Sequence, residues 1–167
     1  MTVRRGPGRL AGLLGLCLLV ATGPACTDRT GGTDLSRIRL MTLDGESLVL
    51  GDRQDAPLLV VFFAINNPLA LTELDHLQAL AEQLGPGAVE LVAIALSGER
   101  PELVRTIVHG RRYLFPVAMD PEGTAATAFG GITVTPTVFL LSGNGRIEAR
   151  QDGTTDLRSL SARIQKL

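Results

Sequence analysis

Apolar and polar positions recur with two different periods along this chain, and the switches between them mark out its elements. Ile38, Leu40 and Thr42 stand at every second residue, Asp44-Gly45 forms a turn pair, and Leu48-Val49-Leu50 returns, which predicts a β-hairpin. After a polar loop over Asp52 to Pro57, residues Leu58 to Ala64 are apolar without a break and rich in Val and Phe. A strand without polar alternation belongs in the middle of a sheet, buried on both faces. Asn67 then offers an N-cap and Pro68 a first helical residue. Leu71, Leu74, Leu77, Leu80 or Ala81, and Leu84 follow at helical spacing until Gly85-Pro86 stops them. The pattern next predicts a buried strand over Val89–Leu96, a helix over Glu99–His109 with Pro101 in its first turn, and a short extended piece over Phe115–Ala118. A short helix over Glu122–Phe129 ends at Gly130-Gly131. Thr137–Leu141 and Arg146–Arg150 make a hairpin around Asn144-Gly145, and a last helix runs over Thr155–Gln165. Early crossovers followed by a late hairpin predict an α/β fold: a mixed central sheet with helices on both faces and an N-terminal β-hairpin.

Ahead of the first hairpin the pattern changes again. Arg4, Arg5 and Arg9 form a basic head, an apolar run covers residues 10–21, and small residues lead to Ala25. This is the build of a secretory signal, with an apolar core too short to cross a bilayer as a helix. Gly23-Pro24-Ala25-Cys26 resembles a bacterial lipobox, with Gly23 where leucine is usual. The resemblance implies that Cys26 is lipidated and becomes the mature N-terminus. Ordinary cleavage nearby would instead leave Cys26 as a lone tail thiol. The expected organisation is a lipoprotein-type signal peptide over 1–25, a flexible polar tether over 26–36 and a folded domain over 37–167. The implied location is the periplasm, beyond the bacterial inner membrane, with the protein held to a membrane through Cys26.

Processing changes the charge. The chain has 16 Lys and Arg against 17 Asp and Glu, and losing the three leader arginines takes the formal charge from −1 to −4. That balance disfavours nucleic acid, whose partners present a basic face. Both cysteines, Cys17 and Cys26, lie ahead of the domain. The compartment would permit disulfides, yet the domain has no thiol with which to make one.

From Val60 to Leu74 the chain runs V-V-F-F-A-I-N-N-P-L-A-L-T-E-L. This resembles the segment in which thioredoxin-fold oxidoreductases carry F-W-A-x-W-C-x-P-C-x-x-E. Further pieces follow in order. Leu43-Asp44-Gly45-Glu46 matches an entry hairpin. Phe115-Pro116-Val117 with Asp120-Pro121-Glu122-Gly123 resembles F-P-V-x-x-D-P-x-G, and Ala128-Phe129-Gly130 resembles A-Y-G. Ile132 to Thr137 resembles the V-x-x-T-P-T loop, and Phe139-Leu140 with Gly145-Arg146-Ile147 resembles F-L-I-x-x-x-G-R-I. Over about residues 36–158 the chain therefore resembles the redoxin branch of the thioredoxin fold, in particular the TlpA-type envelope thiol-disulfide proteins. The resemblance implies a thioredoxin-like fold, a cis-proline at Pro136, and thiol-disulfide or antioxidant activity. The departures fall in one place: Asn66 stands for the usual Trp, Asn67 for the attacking Cys and Ala70 for the resolving Cys, while Glu73 matches a glutamate placed beside the thiols. The thiolate is what attacks a disulfide, so the domain lacks the nucleophile. A peroxiredoxin reading fails for the same reason.

Each candidate has a plainer role beside its functional one. Asn67 could bind at the mouth of the site or simply cap a helix. Ala70 is a small helical filler. Glu73 is a relic or an acid in the first helical turn, where the dipole favours it. Asn66 is an exposed loop residue. In the family, the backbone of the residue before the cis-proline pairs with an extended peptide, which needs no thiol. Asn66, Asn67, Pro68, Thr135 and Pro136 are therefore the expected peptide-binding residues, against a purely structural role for Pro136. No metal is expected, since His76 and His109 are isolated and face solvent, and no cofactor is implied. Ser97-Gly98 is no nucleophile elbow, Gly85-Pro86-Gly87 is a turn, and Arg111-Arg112 beside Tyr113 reads as a solvated loop. Three function classes remain. The first is a non-catalytic module binding an envelope protein or peptide. The second is a redoxin enzyme that borrows a partner's thiol. The third is a domain that only packs against a complex.

Overall fold

The computed structural model describes residues 38–51 and 56–167, together with the single positions Thr2 and Leu35. The expected signal peptide, Cys17, Cys26 and nearly all of the expected tether lie outside the described residues, as do positions 52–55 of the polar loop. The chain divides into two units, Met1–Thr30 and Gly31–Leu167, and the fold is that of the second.

Seven strands and four helices follow in chain order: β1 (Arg39–Thr42), β2 (Ser47–Val49), β3 (Leu58–Phe63), α1 (Pro68–Leu84), β4 (Glu90–Ala95), α2 (Pro101–Arg111), β5 (Val117–Met119), α3 (Thr124–Ala128), β6 (Thr137–Leu141), β7 (Ile147–Asp152) and α4 (Leu157–Ile164). The strands form one sheet in the order β2-β1-β5-β4-β3-β6-β7. The β3–β4 and β4–β5 pairs are parallel, and β6 runs antiparallel to β3 with Val60 opposite Phe139. The central place of β3 explains its unbroken apolar run. Leu59, Val61 and Phe63 face one cluster with Leu74 and Leu77 of α1, Val104 and Val108 of α2, and Leu160 and Ile164 of α4. Leu58, Val60 and Phe62 face the other, with Leu40, Leu48, Ile94, Phe129 and Phe139. Each fully buried Leu or Phe contributes roughly 1.5–3 kcal/mol by leaving water. Helices thus cover both faces, unequally: the second cluster is closed by α3 and the entry hairpin. Leu35 is buried in that cluster, and its carbonyl accepts from the Ile38 N–H at 3.1 Å. Packed structure therefore reaches into the segment read as a tether.

Boundaries shift where a cap decides them. The buried Asp120 carboxyl accepts from Ala125 N at 3.1 Å and Ala126 N at 2.8 Å, so α3 starts at Thr124 rather than Glu122. Asp156 caps α4 through Ser159 N at 3.1 Å and delays its start to Leu157. Arg111 and Arg112 are exposed, as expected, but do not form a loop. Arg111 is the last residue of α2 and pairs with Asp75 on α1, and Arg112 caps the helix in the left-handed region with φ 57°. Asp75 also accepts from the Tyr113 hydroxyl at 2.9 Å, whose ring stacks on Phe115. Burial, reinforced by the Asp75 hydrogen bond, pushes the Tyr113 pKa up.

Candidate functional site

The first turn of α1 meets the loop before β6, and Asn67 joins them. Asn67 has extended backbone, φ −107° and ψ 102°, and its Oδ1 accepts from the Leu69 N–H at 3.0 Å, with Pro68 following as the first helical residue. The other end of the same amide crosses to the loop. Asn67 Nδ2 donates to the Thr135 carbonyl at 2.6 Å and to Thr135 Oγ1 at 3.1 Å. The partners fix the amide's orientation: a backbone N–H can only donate and a carbonyl can only accept. Asn67 therefore acts as a helix cap and as a clasp on Thr135. The two roles proposed from sequence, cap and polar site group, fall on one side chain.

The loop is held from behind as well. The Thr135–Pro136 peptide is cis. Pro136 is buried, and its carbonyl accepts from the Gly153 N–H at 2.7 Å. Thr137 Oγ1 lies 2.7 Å from the Val134 carbonyl and 2.9 Å from Asp152 Oδ1, two acceptors sharing one proton. A hydrogen bond from Arg150 chiefly holds the Asp152 carboxyl below its ordinary range, and Thr137 adds to it. Thr135 is half-buried, and its own N–H has no hydrogen bond among the described residues. Asn66 and Pro68 are exposed and Ala70 is fully buried.

Glu73 requires a correction. The first turn of α1 contains no acidic residue. Because the helix starts at Pro68, Glu73 falls in the second turn, on the buried stripe of Ala70, Leu74 and Leu77. It is 1% exposed, and its Oε1 accepts from the Thr155 N–H at 3.1 Å. The helix dipole is thus not its reason for being there. It ties α1 to the β7–α4 connection, where the buried Thr155 hydroxyl has no hydrogen-bond partner among the described residues. Glu73→Leu leaves the Thr155 N–H unsatisfied and is expected to lower stability by about 1–3 kcal/mol, whereas Glu73→Gln keeps an acceptor oxygen and loses less. Urea unfolding of the pair measures this, and equal losses would show that the Thr155 contact contributes nothing.

One positioning residue carries no local sequence signal. Glu99 Oε1 accepts from Ile65 N at 3.2 Å and braces the turn before Asn66 from the β4–α2 connection. His76 and His109 are exposed, and no group of three or more His, Cys, Asp or Glu among the described residues could hold a metal ion. No helix among them is long and apolar enough to cross a membrane. A cavity of about 540 Å³ lies at the opposite end of α1, between Ala81, Val89, Leu91, Leu114 and Phe115, and none of the sequence-predicted site residues borders it.

The model of the AhpC/TSA family matches residues 32–150. No curated protein matches the sequence. Solved structures with the same fold include a DsbF homologue from Corynebacterium diphtheriae, 24% identical, with a TM-score of 0.71 over 80% of this chain and 85% of that one. A secreted Mycobacterium tuberculosis disulfide oxidoreductase is 19% identical, with a TM-score of 0.66 over 78% of this chain and 96% of that one. The exposed lipoprotein thioredoxin of Streptococcus pneumoniae is 20% identical, with a TM-score of 0.67 over 78% and 98% respectively. At these identities the likeness speaks for the thioredoxin-like fold.

Proposed function

We propose, from the premise that the chain belongs to the AhpC/TSA family, that it is a non-catalytic module that binds a peptide or protein segment in the cell envelope. The observation that carries this reading is the clasp between Asn67 and Thr135. The position that would hold an attacking thiol holds the pairing loop instead, and the Thr135 N–H is left open to an extended partner. Edge pairing of this kind works through the backbone and needs no thiol. The envelope location is supported by the signal-like leader and by similarity to proteins described as secreted or exposed. Lipidation at Cys26 completes the reading as a membrane-anchored periplasmic lipoprotein.

Thr135→Pro removes the open donor. Crosslinking and affinity capture from the native envelope is expected to recover a partner with the natural chain and to lose it, by about ten-fold or more, with the variant. Circular dichroism and thermal unfolding check that the variant is folded. Equal capture by a folded variant would move the function to another surface.

The second reading is thiol-disulfide or antioxidant activity inherited from the fold, favoured by the family match and by the oxidoreductase neighbours. It requires a thiol supplied by a partner, since residues 27–167 contain no cysteine.

A further inference from the structure

In an antiparallel pair, two hydrogen-bonded residues exchange both N–H···O bonds. Thr135 is unevenly equipped for that exchange. Its N–H is open, but its carbonyl already accepts from Asn67 Nδ2 at 2.6 Å. A peptide residue opposite Thr135 can give its carbonyl to the Thr135 N–H. Its own N–H would have to share an acceptor that already holds a short bond. A carbonyl oxygen has a second lone pair, so a second bond can form there, but a donor that must share an occupied acceptor is held less well, and a residue with no donor avoids that loss.

We propose, resting on the peptide-binding reading above, that the groove selects an extended segment with proline opposite Thr135, flanked by uncharged apolar residues. Proline has no N–H to leave unpaired, and its fixed φ suits an extended edge segment. The flanking preference follows from the rim. Leu69 is 45% exposed and Val134 48% exposed on the two sides of the clasp. Neither residues 64–72 (A-I-N-N-P-L-A-L-T) nor residues 123–145 include a charged side chain. The charged groups behind this rim, Glu99 on Ile65 N and the Arg150–Asp152 pair on Thr137, are already engaged, so a charged peptide side chain would lose water there for little return.

The test uses two blocked pentapeptides, acetyl-Thr-Val-Pro-Val-Thr-amide and its counterpart with Ala for Pro, titrated into the ¹⁵N-labelled protein. The proline peptide is expected to shift the Thr135 amide resonance and to bind about ten-fold more tightly than the alanine peptide. Asn67→Ala frees the carbonyl and is expected to erase that preference. Asn67→Asp keeps the cap on Leu69 N but removes the donor to Thr135, so it reports on the clasp even if the alanine variant folds poorly. It should favour the alanine peptide. Equal affinity of both peptides for the natural chain, with Thr135 shifted, overturns the proline selection and leaves the groove reading standing. Failure of both peptides to move Thr135 overturns both.

Discussion

With dithiothreitol as the electron source, the double variant Asn67→Cys/Ala70→Cys is expected to reduce insulin disulfides in steady turnover, where the natural chain stays at the level of a no-protein blank. The backbone for the reaction is already present. Position 67 caps α1 and position 70 lies one turn into it, so the two side chains come from the same face of the helix start. Ala70 is fully buried and Asn67 half-buried, which makes the sulfur at 67 the accessible one and the sulfur at 70 the internal one. A thiol at a helix N-terminus is acidified from about 8.5 into the range of about 3.5–7.5, which supplies thiolate near neutral pH. In the variant comprising residues 27–167, which has no other cysteine, thiol titration should find two reactive groups after reduction and none after mild oxidation. A variant that closes its disulfide but never turns over insulin would mean that the groove does not admit a disulfide-bearing loop. Turnover by the natural chain would overturn the non-catalytic reading outright.

Phe62→Ala should cause the largest loss of stability. Phe62 is fully buried at the centre of the sheet and meets Phe129 edge-on at 5.2 Å and Phe139 at 5.9 Å, while those two rings lie 4.7 Å apart. Arg150 covers the Phe139 ring from outside at 5.3 Å. Truncation removes the apolar burial, opens a cavity between two rigid rings and removes both edge-to-face contacts. Together these cost about 3–5 kcal/mol. For a domain of this size that lowers the melting temperature by on the order of 10–20 °C. Phe62→Leu refills most of the volume and should lose far less. A loss below about 1 kcal/mol for the alanine variant would show that the rings are not packed as described. The three rings lie on the face of the sheet opposite α1, so either variant should keep the clasp on Thr135 below its melting point.

Most of the fold was legible because local signals were strong where they mattered. The apolar run of β3, the Asn67-Pro68 start and Gly85-Pro86 end of α1, and the Asn144-Gly145 turn each determine an element within a few residues. The errors came from interactions that local pattern does not encode. Asp120 and Asp156 move helix starts through their own side chains. Arg111, though exposed, is drawn onto α1 by Asp75, 36 residues earlier in the chain. Glu73 was legible in principle, since spacing from Ala70 and to Leu77 puts it inside, but its acidic character suggested a first-turn residue favoured by the helix dipole. The site divided in the same way. Asn67 as a cap could be read from its neighbours. Its second bond crosses 68 residues to Thr135 and exists only once the sheet has brought β3 beside β6.

From Asn67 the contacts pass to Thr135, through Pro136 to Gly153, along the chain to Thr155, and back to α1 at Glu73. Every one of these links is a hydrogen bond or a peptide bond. A dithiol site would change its chemistry with the ambient potential, whereas this set of contacts has nothing to oxidise or reduce. On the binding reading, the groove should therefore present the same surface under strongly oxidising and under strongly reducing conditions.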